Sequence, residues 1–338
     1  MKKAVVVDKD YGSVTARDLA ELQEKLAAAG IKLGLFHCKT EDEIIACAQG
    51  AEIILGTGNP PITDKVLSAL PELKAVLRFG IGVNSVDLAA ATRLGKVILF
   101  MPGFCVNELA VHATALALAL NRNIAYYDRR IRRGEWPKAT YYVPRAPRNL
   151  TLGLYGFGAS AKELYKIFRF GFGSRVITCD PYVPEAVHGQ YEVEFVDFDT
   201  LLRESDILSV HAPLTPETRH IMNMDAFRKM KNDSILINIA RGELVDQEDL
   251  ADALEQGEIR FAGLDVFEKE PLQPDSRLLN RDDVVLTCHS AFYGEESKQC
   301  QLTWAYELTV KALNEKTYLK QHIANRDVIS ALQDCAVL

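Results

Sequence analysis

Three hydrophobic runs in the second half of the chain end in side chains that can handle protons and oxyanions. "SILINIARG" ends at Arg241, "FAGLDV" passes Asp265 and leads to Glu270 before Pro271, and "VVLTCHS" ends at His289. In open α/β sheets, ligands bind outside the carboxyl ends of the strands, so this spacing gathers the four residues at one sheet edge. A histidine is the side chain best suited to give and take a proton near neutral pH. A carboxylate such as Glu270 beside it favours the imidazolium form. Arg241 can fork onto a carboxylate and a carbonyl oxygen, orienting a substrate and stabilising developing negative charge. The set suits protonation of the ketone oxygen of a 2-oxo acid while a cofactor supplies hydride. Asp265 is placed to hold a nicotinamide ring or to order the arginine.

Other readings of the same residues exist. In "LTCHSAFYG", Cys288 and His289 could be metal ligands, a nucleophile pair or a packed core histidine. Neighbours on one strand point to opposite faces, which disfavours a local Cys–His pair. No second ligand set with metal spacing appears, which disfavours a metal. Singly, Arg241 reads as a surface arginine, Glu270 as a loop charge and Asp265 as a turn residue; their convergence favours chemistry.

A cofactor loop lies upstream. In "LTLGLYGFGASAKELYKIFRFGFGSRVITCDPY", a strand runs into Gly156, Phe157, Gly158, Ala159, Ser160 and Ala161, and then into a helix. This is G-x-G-x-x-A, a form of the dinucleotide fingerprint. The first glycine permits the turn, the second admits a pyrophosphate, and the small third residue lets helix and strand pack. The phosphate then meets free N–H groups at the helix start. Asp180 ends the next strand, where it can accept ribose hydroxyls and repel a 2′-phosphate. NAD is therefore expected over NADP.

These residues need a scaffold. Strands are expected at Ala4–Val7, Lys32–Phe36, Glu52–Leu55, Ala75–Leu77 and Val97–Phe100, with helices such as Ser13–Ala29 and Asp64–Leu70 between them. Such alternation implies βαβ units and a parallel sheet. From Asn107, a helix cap, "ELAVHATALALALNRNIAYYDRRIRRG" reads as one long apolar helix, buried or at a subunit interface. The Pro- and Tyr-rich "EWPKATYYVPRAPRN" reads as an arm. Strands resume at Thr151–Tyr155, Arg175–Cys179, Ile207–Val210, Ser234–Ile239, Phe261–Leu264 and Val284–Thr287. The expected fold class is α/β, with two doubly wound parallel-sheet domains and a ligand cleft between them.

Composition narrows the class. The 338 residues carry a net charge of −7, which argues against nucleic acid as a direct partner. The cluster Arg129–Arg133 suits a solvated helix C-terminus. Seven scattered cysteines without a C-x-x-C suggest a reducing compartment and a cytoplasmic protein without structural zinc. The apolar start "MKKAVVVDKD" is too short for a signal peptide. Leu109–Leu120 is interrupted by His112 and too short to span a membrane.

The motifs "RFGIGVNSVDLAAA", "LYGFGASA", "HAPLTPETRHIMN", "INIARGELVD", "AGLDVFEKEPL" and "LTCHSA" resemble the D-isomer-specific 2-hydroxyacid dehydrogenase family over essentially the whole chain. The resemblance implies a catalytic set of Arg241, Glu270 and His289, with His289 as general acid/base. It implies NAD contacts at His211, Ala212, Pro213, Thr218, Ile239, Ala240, Asp265 and Ala291. It implies that Arg78, Gly80 and Ile81 hold the substrate carboxylate, for which a glycine-rich nest is suited. It also implies a flavodoxin-like substrate domain from 1–101 and 295–338, a Rossmann NAD-binding domain from 102–294, and a homodimer through 107–148. "RFGIG", "VNELAVHAT" and the aromatics after His289 look like the C-terminal-binding-protein branch, where Phe292 would face an apolar substrate group. That branch adds a second expectation, an NADH-sensing scaffold. Formate dehydrogenase, a relative with glutamine as the histidine's partner, is disfavoured by Glu270. Cys288 in place of proline, Ala161 in place of glycine and Val111 in place of glutamate depart from the pattern without removing a catalytic group.

Overall fold

The short β-branched runs assemble into two main sheets, both wholly parallel. The computed structural model describes residues 1–9, 12, 14–332 and 335–338. They form two units, Met1–Cys105 with Tyr293–Leu338, and Val106–Phe292.

In the first unit, β1 (Lys2–Val6), β2 (Ile31–Leu35), β3 (Ile53–Gly56), β4 (Ala75–Arg78) and β5 (Val97–Leu99) lie in the order 2-1-3-4-5. Helices α1 (Ala16–Ala28), α2 (Glu41–Cys47), α3 (Asp64–Ala69) and α4 (Leu88–Arg93) connect them. This is the flavodoxin-like order, with its switch point between β1 and β3. Ile53, Ile54 and Leu55 are fully buried, as expected of strands covered on both faces. Of the helix expected from Ser13, that residue lies outside the described residues. Helix α1 begins after Thr15, whose side chain forms a reciprocal capping box with Asp18.

The second unit opens with α5 (Val106–Asn121) and α6 (Ile124–Arg132). The single long helix expected here is broken. Asn123 takes a left-handed φ of 56° and donates from its side-chain amide to the Tyr142 carbonyl at 2.7 Å. Asn107 is not the cap either, because it lies inside the first turn of α5. The basic cluster is largely paired: Arg130 meets Glu135 and Asp282, and Arg132 meets Asp128. The Tyr-rich arm folds back, with Tyr141 stacked on Tyr126 at 4.2 Å and Arg260 over the Tyr141 and Tyr142 rings.

The sheet follows: β6 (Thr151–Tyr155), α7 (Ala159–Lys166), β7 (Arg175–Cys179), α8 (Glu185–His188), β8 (Glu194–Phe195), α9 (Phe198–Glu204), β9 (Ile207–Val210), α10 (Met224–Phe227), β10 (Ile235–Asn238), α11 (Gln247–Gln256), β11 (Phe261–Leu264) and β12 (Val284–Leu286). Its order is 12-11-10-9-6-7-8, the doubly wound dinucleotide-binding arrangement with one further strand. Alternate residues serve opposite faces. Leu208, Leu236 and Ala262 join the core under α9, α10 and α11. Ile207, Ile235, Ile237 and Phe261 join the core under α5 and α7. The chain then returns to the first unit as α12 (Glu295–Val310), β13 (Thr317–Tyr318) and β14 (Ala336–Val337). Among the described residues, no helix is long and apolar enough to cross a membrane.

Candidate active site

The site in the second unit is built at the carboxyl ends of β10, β11 and β12. Strand β12 stops at Leu286, earlier than the sequence reading placed it, and Thr287–Ala291 is a turn. His289 sits in that turn with φ 53°, a left-handed conformation that costs a residue with a Cβ about 1–2 kcal/mol. Cys288 and His289 therefore do not lie on one extended strand, and strand alternation does not set their side-chain directions.

Asp265 holds the turn in place. Its backbone carbonyl accepts the His289 N–H at 2.7 Å. Its buried carboxylate accepts the Ser290 N–H at 2.8 Å, the Ala291 N–H at 2.9 Å and the Thr287 hydroxyl at 2.6 Å. With a longer bond from the Ser290 hydroxyl at 3.4 Å, five bonds to one residue over-determine the histidine's backbone. The imidazole is thereby presented to Glu270, with Nδ1 2.7 Å from Oε2. The other oxygen of Glu270 accepts the Phe267 N–H at 3.0 Å, so the carboxylate is itself fixed. The Phe292 ring stands edge-on to the imidazole with centroids 6.2 Å apart, and the residue is only 8% exposed.

Two residues that the sequence reading passed over order the arginine. Asn238 ends β10 fully buried, and its side-chain amide donates to the Arg241 carbonyl at 2.8 Å and accepts the Ala240 N–H at 3.1 Å. Its backbone carbonyl accepts the Asp265 N–H, which ties the arginine turn to the histidine turn. Gly242 lies against the next loop: a Cβ there would fall 1.9 Å from the Phe267 carbonyl carbon. That loop carries Glu270, so Gly242 lets the arginine turn and the glutamate loop touch. Ala291, expected beside a nicotinamide, is buried against the α5 core and donates its N–H to Asp265.

The glycine loop sits at the end of β6. Gly156 has φ 93°, and a Cβ there would stand 2.9 Å from the Ala212 nitrogen, so only glycine lets the two loops close. A Cβ on Gly158 would meet nothing within 4 Å, which leaves open space at the start of α7. The first N–H groups of that helix lack intrahelical acceptors and suit a pyrophosphate. Ala161 is fully buried between helix and sheet, which explains its small size. Asp180 accepts the Phe157 N–H at 2.8 Å and the Tyr182 N–H at 2.9 Å, so the carboxylate at the end of β7 fixes the glycine loop. These residues fit a dinucleotide. Thr218 shapes the neighbouring loop, donating to the Pro213 carbonyl at 2.8 Å. Ile239 and Ala240 follow β10 at the same edge.

His211 is a strut in this loop. Its ring nitrogens lie 3.0 Å from the Ser160 hydroxyl and 2.9 Å from the Ser209 hydroxyl, which enclose them. Burial of the ring pushes its pKa down to about 4. The unfolded chain, with an ordinary histidine, binds a proton that the native state refuses between about pH 6.5 and 4. Native stability is then present above that window and falls as pH drops through it, by about 2–3 kcal/mol at pH 4.5. Asp8 in the first unit opposes this. Burial pushes its pKa up to about 6, against hydrogen bonds from Thr57, so the native state takes up its proton first and gains stability on acidification. The two offset in the whole protein, and a variant separates them. The stability advantage of wild type over His211→Gln, measured by urea unfolding, is expected to shrink by about 2–3 kcal/mol between pH 7 and pH 4.5. An advantage independent of pH would show that the ring carries no such penalty.

Arg78, Gly80 and Ile81 belong to the first unit. Arg78 ends β4 and donates to the Phe79 carbonyl at 3.1 Å. The Gly80 carbonyl accepts the Met101 N–H at 2.9 Å, and Ile81 is 39% exposed. Among the described residues, no cluster of three or more His, Cys, Asp or Glu could hold a metal ion.

Residues 114–291 match the family model described as D-isomer specific 2-hydroxyacid dehydrogenase, NAD binding domain. The chain is 32% identical to a D-3-phosphoglycerate dehydrogenase of Methanocaldococcus jannaschii over 91% of its own length and 57% of that protein's. It is 35% identical to a hydroxypyruvate reductase of Thermotoga maritima over 81% of its length and 88% of that protein's. The structure of D-lactate dehydrogenase from Aquifex aeolicus, solved with NAD and lactic acid, matches with a TM-score of 0.81 at 25% identity, over 93% of this chain and 96% of that one. The chain spans about half the length of the phosphoglycerate dehydrogenases it matches, from 46% to 57%.

Proposed function

Because the chain belongs to the D-isomer specific 2-hydroxyacid dehydrogenase family, we propose that it interconverts a small 2-oxo acid and its D-2-hydroxy acid with NAD. The observation that carries this reading is the 2.7 Å contact between His289 and Glu270 at the sheet edge onto which the glycine loop also opens. NAD, when bound, supplies or accepts the hydride. Glu270 accepts from Nδ1 of His289, which leaves Nε2 as the nitrogen that delivers a proton to the ketone oxygen or removes it from the hydroxyl. Arg241 forks onto the substrate carboxylate and the reacting oxygen, and stabilises the charge that grows there. Gly156, Gly158, Ala159, Ser160 and Asp180 hold the pyrophosphate and ribose. The stretch His211–Pro213, with Thr218, Ile239, Ala240, Asp265 and Ala291, shapes the remaining cofactor wall. Arg78, Gly80 and Ile81 receive the carboxylate end of the substrate, and Phe292 reads its side chain.

NADH oxidation with glyoxylate, hydroxypyruvate, pyruvate and branched or aromatic 2-oxo acids tests this. Turnover of at least one is expected, and no turnover with any would sink the proposal. The scaffold reading from the same resemblance predicts tight NADH binding without turnover. The names of the matched relatives, reductases and dehydrogenases, favour turnover. We further propose a homodimer through 107–148, where Val111, Ile124, Ile131, Trp136 and Val143 are exposed. Light scattering is expected to give twice the chain mass, and a monomer at micromolar concentration would contradict it.

A further inference from the structure

Nine of the sixteen residues of helix α5 are alanine or leucine, and His112 is the titratable residue in its second turn. It stands between exposed Val111 and buried Ala113, with its own side chain 22% exposed. A polar ring in an apolar helix has to find a partner or reach water. Here the partner is Thr287: Nε2 of His112 lies 3.0 Å from the Thr287 hydroxyl oxygen. Thr287 is the first residue after β12, and its hydroxyl lies 2.6 Å from Oδ1 of Asp265.

Proton counting fixes the direction of this chain. A carboxylate only accepts, so the single hydroxyl proton of Thr287 goes to Asp265. The hydroxyl can then meet His112 only as an acceptor, which places a proton on Nε2 of His112. The series runs from His112 N–H to Thr287 O–H to the Asp265 carboxylate. The carboxylate in turn receives the N–H groups of Ser290 and Ala291, which hold the left-handed His289. Nε2 of His112 also lies 3.6 Å from Oδ1 itself.

We infer that His112 is a positioning residue for the reaction, acting through Thr287 and Asp265 to fix the turn that presents His289. The inference rests on His289 being the proton donor. Hydrogen bonds in series are cooperative, so the outer members matter although neither touches the reacting atoms. Small displacements of a proton donor are costly to rate and cost little in binding. Removing the Thr287 hydroxyl leaves Oδ1 of Asp265 held by Ser290 alone, and removing His112 leaves that hydroxyl without its donor, so in either case the histidine turn loses one of the restraints that offset its left-handed backbone.

The test is steady-state kinetics of 2-oxo acid reduction by Thr287→Val, Thr287→Ser, His112→Leu, His112→Gln and the Val/Leu double variant, with NADH affinity read by fluorescence. Thr287→Val keeps shape and removes the hydroxyl. His112→Gln keeps a donor at similar reach. Thr287→Val and His112→Leu are each expected to lower kcat by about 10–100-fold, with NADH Kd changed less than about threefold. Thr287→Ser and His112→Gln should recover most of the loss. The double variant should be little worse than the poorer single, because members of one series act as a unit. Unchanged kcat in Thr287→Val overturns the inference. So do multiplying effects in the double variant, or losses in kcat that track the unfolded fraction by thermal melt and are not recovered by Ser or Gln. His289→Asn serves as the reference: if it retains turnover, the proton-donor reading itself has failed. If it alone is inactive, only the positioning role of His112 has failed.

Discussion

Replacing His289 by asparagine is expected to lower kcat for 2-oxo acid reduction by about 10²–10⁴-fold and to leave NADH affinity within a few fold. Asparagine is the informative substitution because His289 has φ 53°, and asparagine tolerates the left-handed region better than alanine does. Alanine would add a backbone penalty to the loss of the imidazole and blur the two. The imidazole itself makes one strong fixed contact, to Glu270, and the turn beneath it is held through backbone groups and Asp265. The fold should therefore survive its removal, while the group that moves the proton is gone. Kinetics with saturating NADH and a fluorescence titration of the cofactor separate these outcomes. A parallel collapse of NADH binding would make His289 a structural residue.

Gly242→Ala should be more damaging than any exposed glycine replacement. The added methyl would lie 1.9 Å from the Phe267 carbonyl carbon, 2.0 Å from its oxygen and 2.5 Å from the Glu268 nitrogen. All three are backbone atoms, so no side chain can swing aside. Separation of the two loops would pull the Glu270 loop from the turn that carries Arg241. The expected cost is about 3 kcal/mol or more in stability, with loss of turnover in whatever remains folded. Gly189→Ala is the control. That glycine has φ −70°, and its Cβ would meet nothing within 4 Å, so its thermal midpoint should stay close to wild type. A soluble Gly242→Ala protein with wild-type midpoint and kcat would mean that the two loops do not need this contact.

The residues that bear the chemistry were legible because two local rules place them. Strands in a parallel sheet deliver their last residues to one edge, and a glycine turn between a strand and a helix marks a phosphate site. The parts that were not legible depend on partners distant in sequence. Nothing in "TCHSA" announces a left-handed turn, since it has no glycine, proline or asparagine; Asp265 imposes it from the neighbouring strand. The break between α5 and α6 is likewise held by the bond from Asn123 to the Tyr142 carbonyl. The asparagines of "NRN" are weak helix formers that tolerate the left-handed region, but the apolar pattern on either side outweighs that local signal. Gly242 and Asn238 were missed for the same reason, since their importance lies in the loop and turn they meet. The contacts of the His211 ring with the serines of α7 and β9 were not legible either, because they too join residues distant in sequence.

In the proposed function NADH gives its hydride to one face of the 2-oxo acid and His289 gives its proton to the ketone oxygen, so that the D-isomer forms. Chiral analysis of the 2-hydroxy acid formed from pyruvate and from the best branched or aromatic 2-oxo acid, with NADH and purified protein, tests it most directly. The expected result is the D-isomer alone, formed by wild type and lost in His289→Asn. Formation of the L-isomer or a racemate, or undiminished product from His289→Asn, would contradict it.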